Sequence, residues 1–213
     1  MALLTIDDAP SSRFEEKLAY LKRRGIPAVL FCVGRDAEGR EAALADALAS
    51  GYLVGNHSYS HPHFSEISIE RCREEIERTD ALLSRVYDIA ALPWERKFFR
   101  FPYLDRGGDR RRQSAIQDIL LGLGYRALQA GPWGPADTGC DFDQMEYWLG
   151  KAEAPEGLAA ADAILARIGR GRPREDDVIL IHDHENTHEL FFRCLERYQD
   201  HGVVLSRPGR PPV

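Results

Sequence analysis

Ala2-Leu3-Leu4-Thr5-Ile6-Asp7-Asp8-Ala9-Pro10 is an apolar run that ends in two carboxylates and a proline. The run is too short for a helix, and the proline stops a strand from continuing. A strand is therefore expected at residues 2–6, and other short apolar runs predict strands at residues 28–33, 52–54, 98–100, 125–128, 178–181 and 203–205. Between these runs, residues 12–24, 38–50, 68–87, 113–122, 158–168 and 187–200 read as amphipathic helices, several followed by glycine. Strand and helix in alternation predict an α/β fold of parallel strands with helices outside them. At 213 residues, 44% of them hydrophobic and 29% charged, the chain has the balance of one globular domain spanning 1–213.

A formal net charge of −6 leaves no basic footprint for nucleic-acid phosphates, so no nucleic-acid partner is expected. Arg110-Arg111-Arg112 is too short a run to supply one and is expected to face solvent. No apolar stretch is long enough to span a bilayer, and no secretory signal is visible, so no membrane partner is expected. Cys32, Cys72, Cys140 and Cys194 are widely spaced and read as reduced, buried thiols. Together these features favour a cytoplasmic location. Nothing in the pattern fixes an oligomeric state.

Asp7 and Asp8, His57, Pro102 and Tyr103, and His182 all fall just after predicted strands. In a barrel of parallel strands such positions meet at one face, so residues remote in sequence can converge. Asp7-Asp8 reads either as a strand-end cap or as working carboxylates. His57 and His61 lie four apart, a spacing that places both imidazoles on one side of a helical turn. Two imidazoles with one carboxylate, for which Asp8 is the natural choice, bind a divalent ion and leave positions for water and substrate. His182 ends the apolar run of residues 178–181 and reads either as a proton donor or as a structural histidine. Arg100, at another strand end, is either a bidentate carboxylate clamp or a surface ion pair.

Taken in order, these segments resemble the polysaccharide deacetylases of the NodB-homology type, carbohydrate esterase family 4. Thr5-Ile6-Asp7-Asp8-Ala9-Pro10 is similar to the first family motif, which implies Asp7 as catalytic base and Asp8 as metal ligand. His57-Ser58-Tyr59-Ser60-His61 matches the second, which implies that the two histidines complete the metal site. Arg100-Phe101-Pro102-Tyr103 matches the third, in which the arginine orients the base and the tyrosine N–H helps hold the oxyanion. Leu180-Ile181-His182 matches the fifth, which implies Leu180 beside the acetyl methyl group and His182 as general acid.

The resemblance further implies a distorted (β/α) barrel of about seven parallel strands, one divalent metal ion with zinc ahead of cobalt or nickel, and an acetylated carbohydrate as substrate. The implied reaction is hydrolysis of an N-acetyl, or O-acetyl, group by metal-activated water. The chain departs from the family pattern at Ala9 and Leu104, where glycine is usual. The fourth motif is reduced to Asp137-Thr138-Gly139-Cys140-Asp141-Phe142. Asp141 takes the role of supporting His182, with Asp137 as its rival, and Phe142 replaces the tryptophan that walls the sugar groove. Trp133, Tyr147 and Trp148 are alternative stacking surfaces, or simply core.

Four other functions compete. His184-Glu185-Asn186-Thr187-His188 spells the zinc-protease sequence H-E-x-x-H. That chemistry needs both histidines on one helix, whereas Asn186 and Glu189 predict a helix that opens at Thr187 and leaves His184 outside. A small non-sugar amide hydrolase on the same site, a sugar-binding module without turnover and a non-haem iron oxygenase, which also uses two histidines and a carboxylate, are the others, and nothing in the sequence suggests the oxo-acid cosubstrate site of the last.

Overall fold

The computed structural model describes residues 3–126, 147–148, 178–186, 188–200 and 202–205. The chain divides into two compact units, Met1–Val29 with Met145–Val213, and Leu30–Gln144.

In the first unit, β1 (Leu3–Ala9) and β5 (Val178–His182) run parallel, with Leu3 opposite Val178 and Asp7 opposite His182. The two-residue β4 (Tyr147–Trp148) pairs in parallel along the other edge of β5. Leu3 to Ile6 and Val178 to Ile181 are all buried, as parallel strands covered on both faces should be. The helix α1 (Phe14–Arg24) carries Glu15 and Glu16 in its first turn and Lys22, Arg23 and Arg24 in its last, the charge order its dipole favours. It ends at Gly25, whose φ of 62° suits a residue without Cβ. The last helix, α6 (His188–Asp200), buries Leu190, Phe191, Cys194, Leu195 and Tyr198, and its Phe192 meets Tyr20 of α1 at 4.7 Å between ring centroids.

The second unit holds most of β2 (Val29–Cys32), α2 (Gly34–Ala37), α3 (Glu41–Ala49), β3 (Leu53–Asn56), α4 (Ile69–Ile89) and α5 (Arg110–Gly122). Ser68 caps α4 by accepting the Arg71 N–H, and Asp109 caps α5 by accepting that of Arg112. Phe64, Cys72, Ile76, Phe99, Phe101, Ile116, Leu120 and Tyr125 form the core between these helices and the chain beside β3. Gly55 is obligatory in β3, because a Cβ there would lie 2.8 Å from the Phe31 ring and 3.0 Å from the Phe98 carbonyl.

Expected and observed elements agree over most of the described chain. The first strand runs further than expected, through Asp7 and Asp8 to Ala9. Residues 98–100 form no strand, only the bridge of Phe99 to Asn56, and the strands expected at 125–128 and 203–205 are reduced, among the described residues, to single bridge residues at Tyr125, which pairs with Lys97, and Leu205. Five strands are present among the described residues; β1 with β5, β5 with β4 and both isolated bridges pair in parallel. The expected helix at 158–168, together with Trp133, Asp137, Cys140, Asp141 and Phe142, lies outside the described residues. Arg112 departs from the solvated reading of its basic run: its guanidinium donates to the carbonyls of Gly107, Phe64 and Ile67 at 2.8, 2.9 and 2.5 Å. No helix among the described residues is long and apolar enough to cross a membrane.

Candidate active site

In the first unit, the paired ends of β1 and β5 set Asp7 beside His182. Asp7 is buried, and Asp8 follows it with φ of 60°, a left-handed conformation that aspartate tolerates better than most residues and that interrupts the strand's alternation. Asp183, also buried, locks the two strand ends together. Its N–H donates to the Asp7 carbonyl at 2.8 Å, and its carboxylate accepts from the Ser11 N–H, the Ser11 hydroxyl and Lys17 Nζ at 2.7, 2.8 and 2.6 Å. Lys17 is as buried as its partner and also donates to the His184 carbonyl. The His182 and His184 rings stack at 4.8 Å, and His184 Nε2 lies 2.7 Å from Asp8 Oδ2. Leu180 is buried in β5.

In the second unit, His57 leaves β3 with its N–H on the Cys32 carbonyl and its Nδ1 2.8 Å from the Arg100 carbonyl. A carbonyl only accepts, so Nδ1 carries the proton and Nε2 the lone pair, the tautomer that a ligating histidine uses. The His57–His61 pair does not sit on a helical turn. Ser58 and His61 both have positive φ, 65° and 59°, which curl the segment into a loop. The loop still brings the two rings to 4.9 Å.

Glu75 of α4 holds that loop. Fully buried, it accepts from the N–H groups of Tyr59 and Ser60 and from the Ser60 hydroxyl, and it pairs with Arg71. From below, Asn56 accepts the Ser58 N–H and donates to the Ile76 carbonyl and the Tyr125 hydroxyl. Burial, reinforced by the Asp80 charge, pushes the Tyr125 phenol well above its ordinary pKa, so it stays neutral in this network.

Arg100 is fully buried with its guanidinium over the Phe31 ring at 4.8 Å, which removes the surface ion pair as an explanation for it. Tyr103, φ 55°, is 60% exposed, stacks on His63 at 3.9 Å and meets the His61 ring edge-on. A tyrosine held at positive φ costs about 1–3 kcal/mol, a kind of strain that concentrates at functional loops.

His188 opens α6, with His184 outside it, and His188 Nε2 lies 3.2 Å from Glu16 rather than beside His184. The H-E-x-x-H segment therefore lacks the one-helix geometry of a zinc protease. Glu75, Lys17, Asp183 and Asn56 were not among the residues expected from sequence. Two of them carried a signal: Glu75 lies in the buried stripe Cys72, Glu75, Ile76, Thr79, Leu82, Leu83, Val86, and Lys17 in the stripe Phe14, Lys17, Leu18, Leu21. A charge inside an apolar stripe must be paired or hydrogen-bonded.

Residues 1–127 match the family described as "Polysaccharide deacetylase". The chain is 34% identical over 119 residues to a peptidoglycan-N-acetylglucosamine deacetylase of Bacillus cereus, a match covering 55% of this chain and 42% of that protein. It is 25% identical over 193 residues to a chitin deacetylase of Colletotrichum lindemuthianum, covering 88% of this chain and 68% of that one. Among solved structures, a family 4 carbohydrate esterase from Streptomyces lividans superposes with a TM-score of 0.69 at 23% identity, covering 96% of this chain and 91% of the other. A CE4 family pseudoenzyme from Bacillus anthracis does so with a TM-score of 0.65 at 19% identity, covering 97% and 63%. By its profile match, supported by these likenesses of sequence and fold, the chain belongs to the polysaccharide deacetylase family, the NodB-homology group of carbohydrate esterase family 4.

Proposed function

We propose that the chain is a metal-dependent hydrolase that removes N-acetyl, and on some substrates O-acetyl, groups from a carbohydrate. The observation that carries this reading is the register Asp7↔His182, which pairs a base with an acid on adjacent strands of one unit. Asp8, His57 and His61 would hold one divalent cation, zinc ahead of cobalt or nickel; among the described residues they are a set of side chains suited to a metal ion. The His57 tautomer, fixed by the Arg100 carbonyl, fits that use. When bound, the cation supplies Lewis acidity toward the acetyl carbonyl and acidity to a water molecule.

The chain's own residues do the rest. Asp7 takes the proton of the attacking water, and Arg100 keeps that carboxylate ionised and aimed. The Tyr103 N–H stabilises the charge that develops on the acetyl oxygen, and Leu180 lines the methyl pocket. His182 protonates the nitrogen, so that the C–N bond breaks to an amine and acetate. The support of His182 by Asp141, or by its rival Asp137, and the groove wall at Phe142 belong to this reading on the resemblance alone, those residues lying outside the described ones. The reading takes residues 1–213 as one NodB-type domain on a distorted (β/α) barrel of about seven strands, in keeping with the 96% of the chain that the Streptomyces esterase likeness covers. The names of the Bacillus and Colletotrichum relatives favour an N-acetylglucosamine polymer or oligomer over a small amide.

A second reading, a sugar-binding module without turnover, is favoured by the likeness to the Bacillus anthracis pseudoenzyme. Acetate release from N-acetylglucosamine oligomers, measured with Asp7→Asn and His182→Ala, separates the two. The deacetylase reading expects each variant to lose about 10²-fold or more in rate while keeping its bound metal. Variants as fast as the parent would overturn the assignment of base and acid, and binding of oligomers with no acetate from the parent would establish the second reading.

A further inference from the structure

His184 belongs to none of the four family motifs, and its place outside the α6 helix removes it from the protease reading. Its ring nevertheless lies 2.7 Å from Asp8 Oδ2. An ionised carboxylate only accepts, so Nε2–H donates to it.

The ring is held there from several sides. Its own carbonyl accepts from the buried Lys17 ammonium at 2.9 Å. The preceding residue, Asp183, is pinned by Ser11, by Lys17 and, through its N–H, by the Asp7 carbonyl. The ring face lies on His182, 20° from coplanar. The backbone that carries His184 is therefore tied to the strand end that carries Asp8 through the Asp183 N–H on the Asp7 carbonyl, and to α1 through the buried Lys17–Asp183 ion pair.

We propose that His184 is a positioning residue for the Asp8 carboxylate and thereby sets the affinity of the site for its divalent cation. The proposal rests on the assignment of Asp8 as a metal ligand made above. A carboxylate bound to a metal can rotate between one-oxygen and two-oxygen coordination. A fixed N–H donor on Oδ2 commits that oxygen and presents Oδ1 to the cation in one orientation. The same bond spares Asp8 part of the cost of being held in place, because the acceptor is already aligned when the cation arrives.

The test is zinc affinity, measured by competition with a chromophoric chelator on the full chain, for the parent, Asp8→Ala, His184→Ala and His184→Gln. The expectation is a loss of about 10- to 100-fold in His184→Ala. Recovery to within about threefold is expected in His184→Gln, whose amide can donate the same bond. The visible spectrum of the cobalt-loaded His184→Ala protein should match that of the parent, because the ligand set is the same. An unchanged zinc affinity in His184→Ala, with Asp8→Ala abolishing binding, would overturn the proposal and leave the metal site standing. A changed cobalt spectrum with no recovery in His184→Gln would also overturn it, by making His184 a ligand itself. Undiminished zinc binding in Asp8→Ala would instead refute the metal assignment beneath it.

Discussion

Glu75 accepts two backbone N–H groups and a hydroxyl from the segment between His57 and His61, with no exposure to water. Replacing it by glutamine keeps the shape but turns one acceptor oxygen into a donor that faces donors. A buried donor left without an acceptor costs about 1–3 kcal/mol, so Glu75→Gln should lower unfolding stability by that amount in urea titration. It should also weaken zinc binding, because the loop that carries both histidines loses its anchor. Undiminished stability in the variant would mean that the loop holds itself. At this scale the sequence was readable in part. Asp7, Asp8, His57 and His182 stand out as polar residues at strand ends and His61 by its spacing from His57, whereas Glu75 and Lys17 are visible only as charges that interrupt apolar helical stripes. Asn56 gives no such signal, since one asparagine after a strand reads equally well as a turn residue.

Beyond the β1–β5 ladder, a buried ion pair ties α1 to the residue after β5: Lys17 and Asp183 have side chains 2% and 1% exposed. Breaking a buried pair from one side strands the other charge, whereas replacing both partners by apolar groups can be close to neutral. Lys17→Met alone should therefore cost about 3–5 kcal/mol in unfolding free energy, and Lys17→Met with Asp183→Leu should recover most of that loss. Equal destabilisation by the single and double replacements would show that the carboxylate's bonds to Ser11, not the ion pair, fix the strand ends. Element boundaries were legible to within one or two residues where the pattern was long or wholly apolar, as in β5 and α4, whereas β1 runs three residues past its expected end. The His57–His61 loop was not, because a four-residue separation of histidines is the same on a helical turn as on a loop curled by left-handed Ser58 and His61. Residues 98–100 were misread as a strand for a related reason: an apolar run buried beside β3 satisfies its backbone through isolated bridges as well as through a ladder.

At the level of the whole chain, alternation of strand and helix was enough to read the α/β class, and the family followed from four short motifs in order rather than from any one of them. The fourth motif, at residues 137–142, is the weakest in sequence and lies outside the described residues. The central claim is that a divalent cation held by Asp8, His57 and His61 turns the Asp7–His182 pair into a deacetylase. Its most direct test is acetate release from N-acetylglucosamine oligomers by metal-stripped protein, before and after zinc, cobalt or nickel is restored, with His61→Ala in parallel. The account predicts no release without metal, recovery when metal is returned, and no recovery in His61→Ala. Release that persists after the metal is stripped, or that returns equally in His61→Ala, would contradict it.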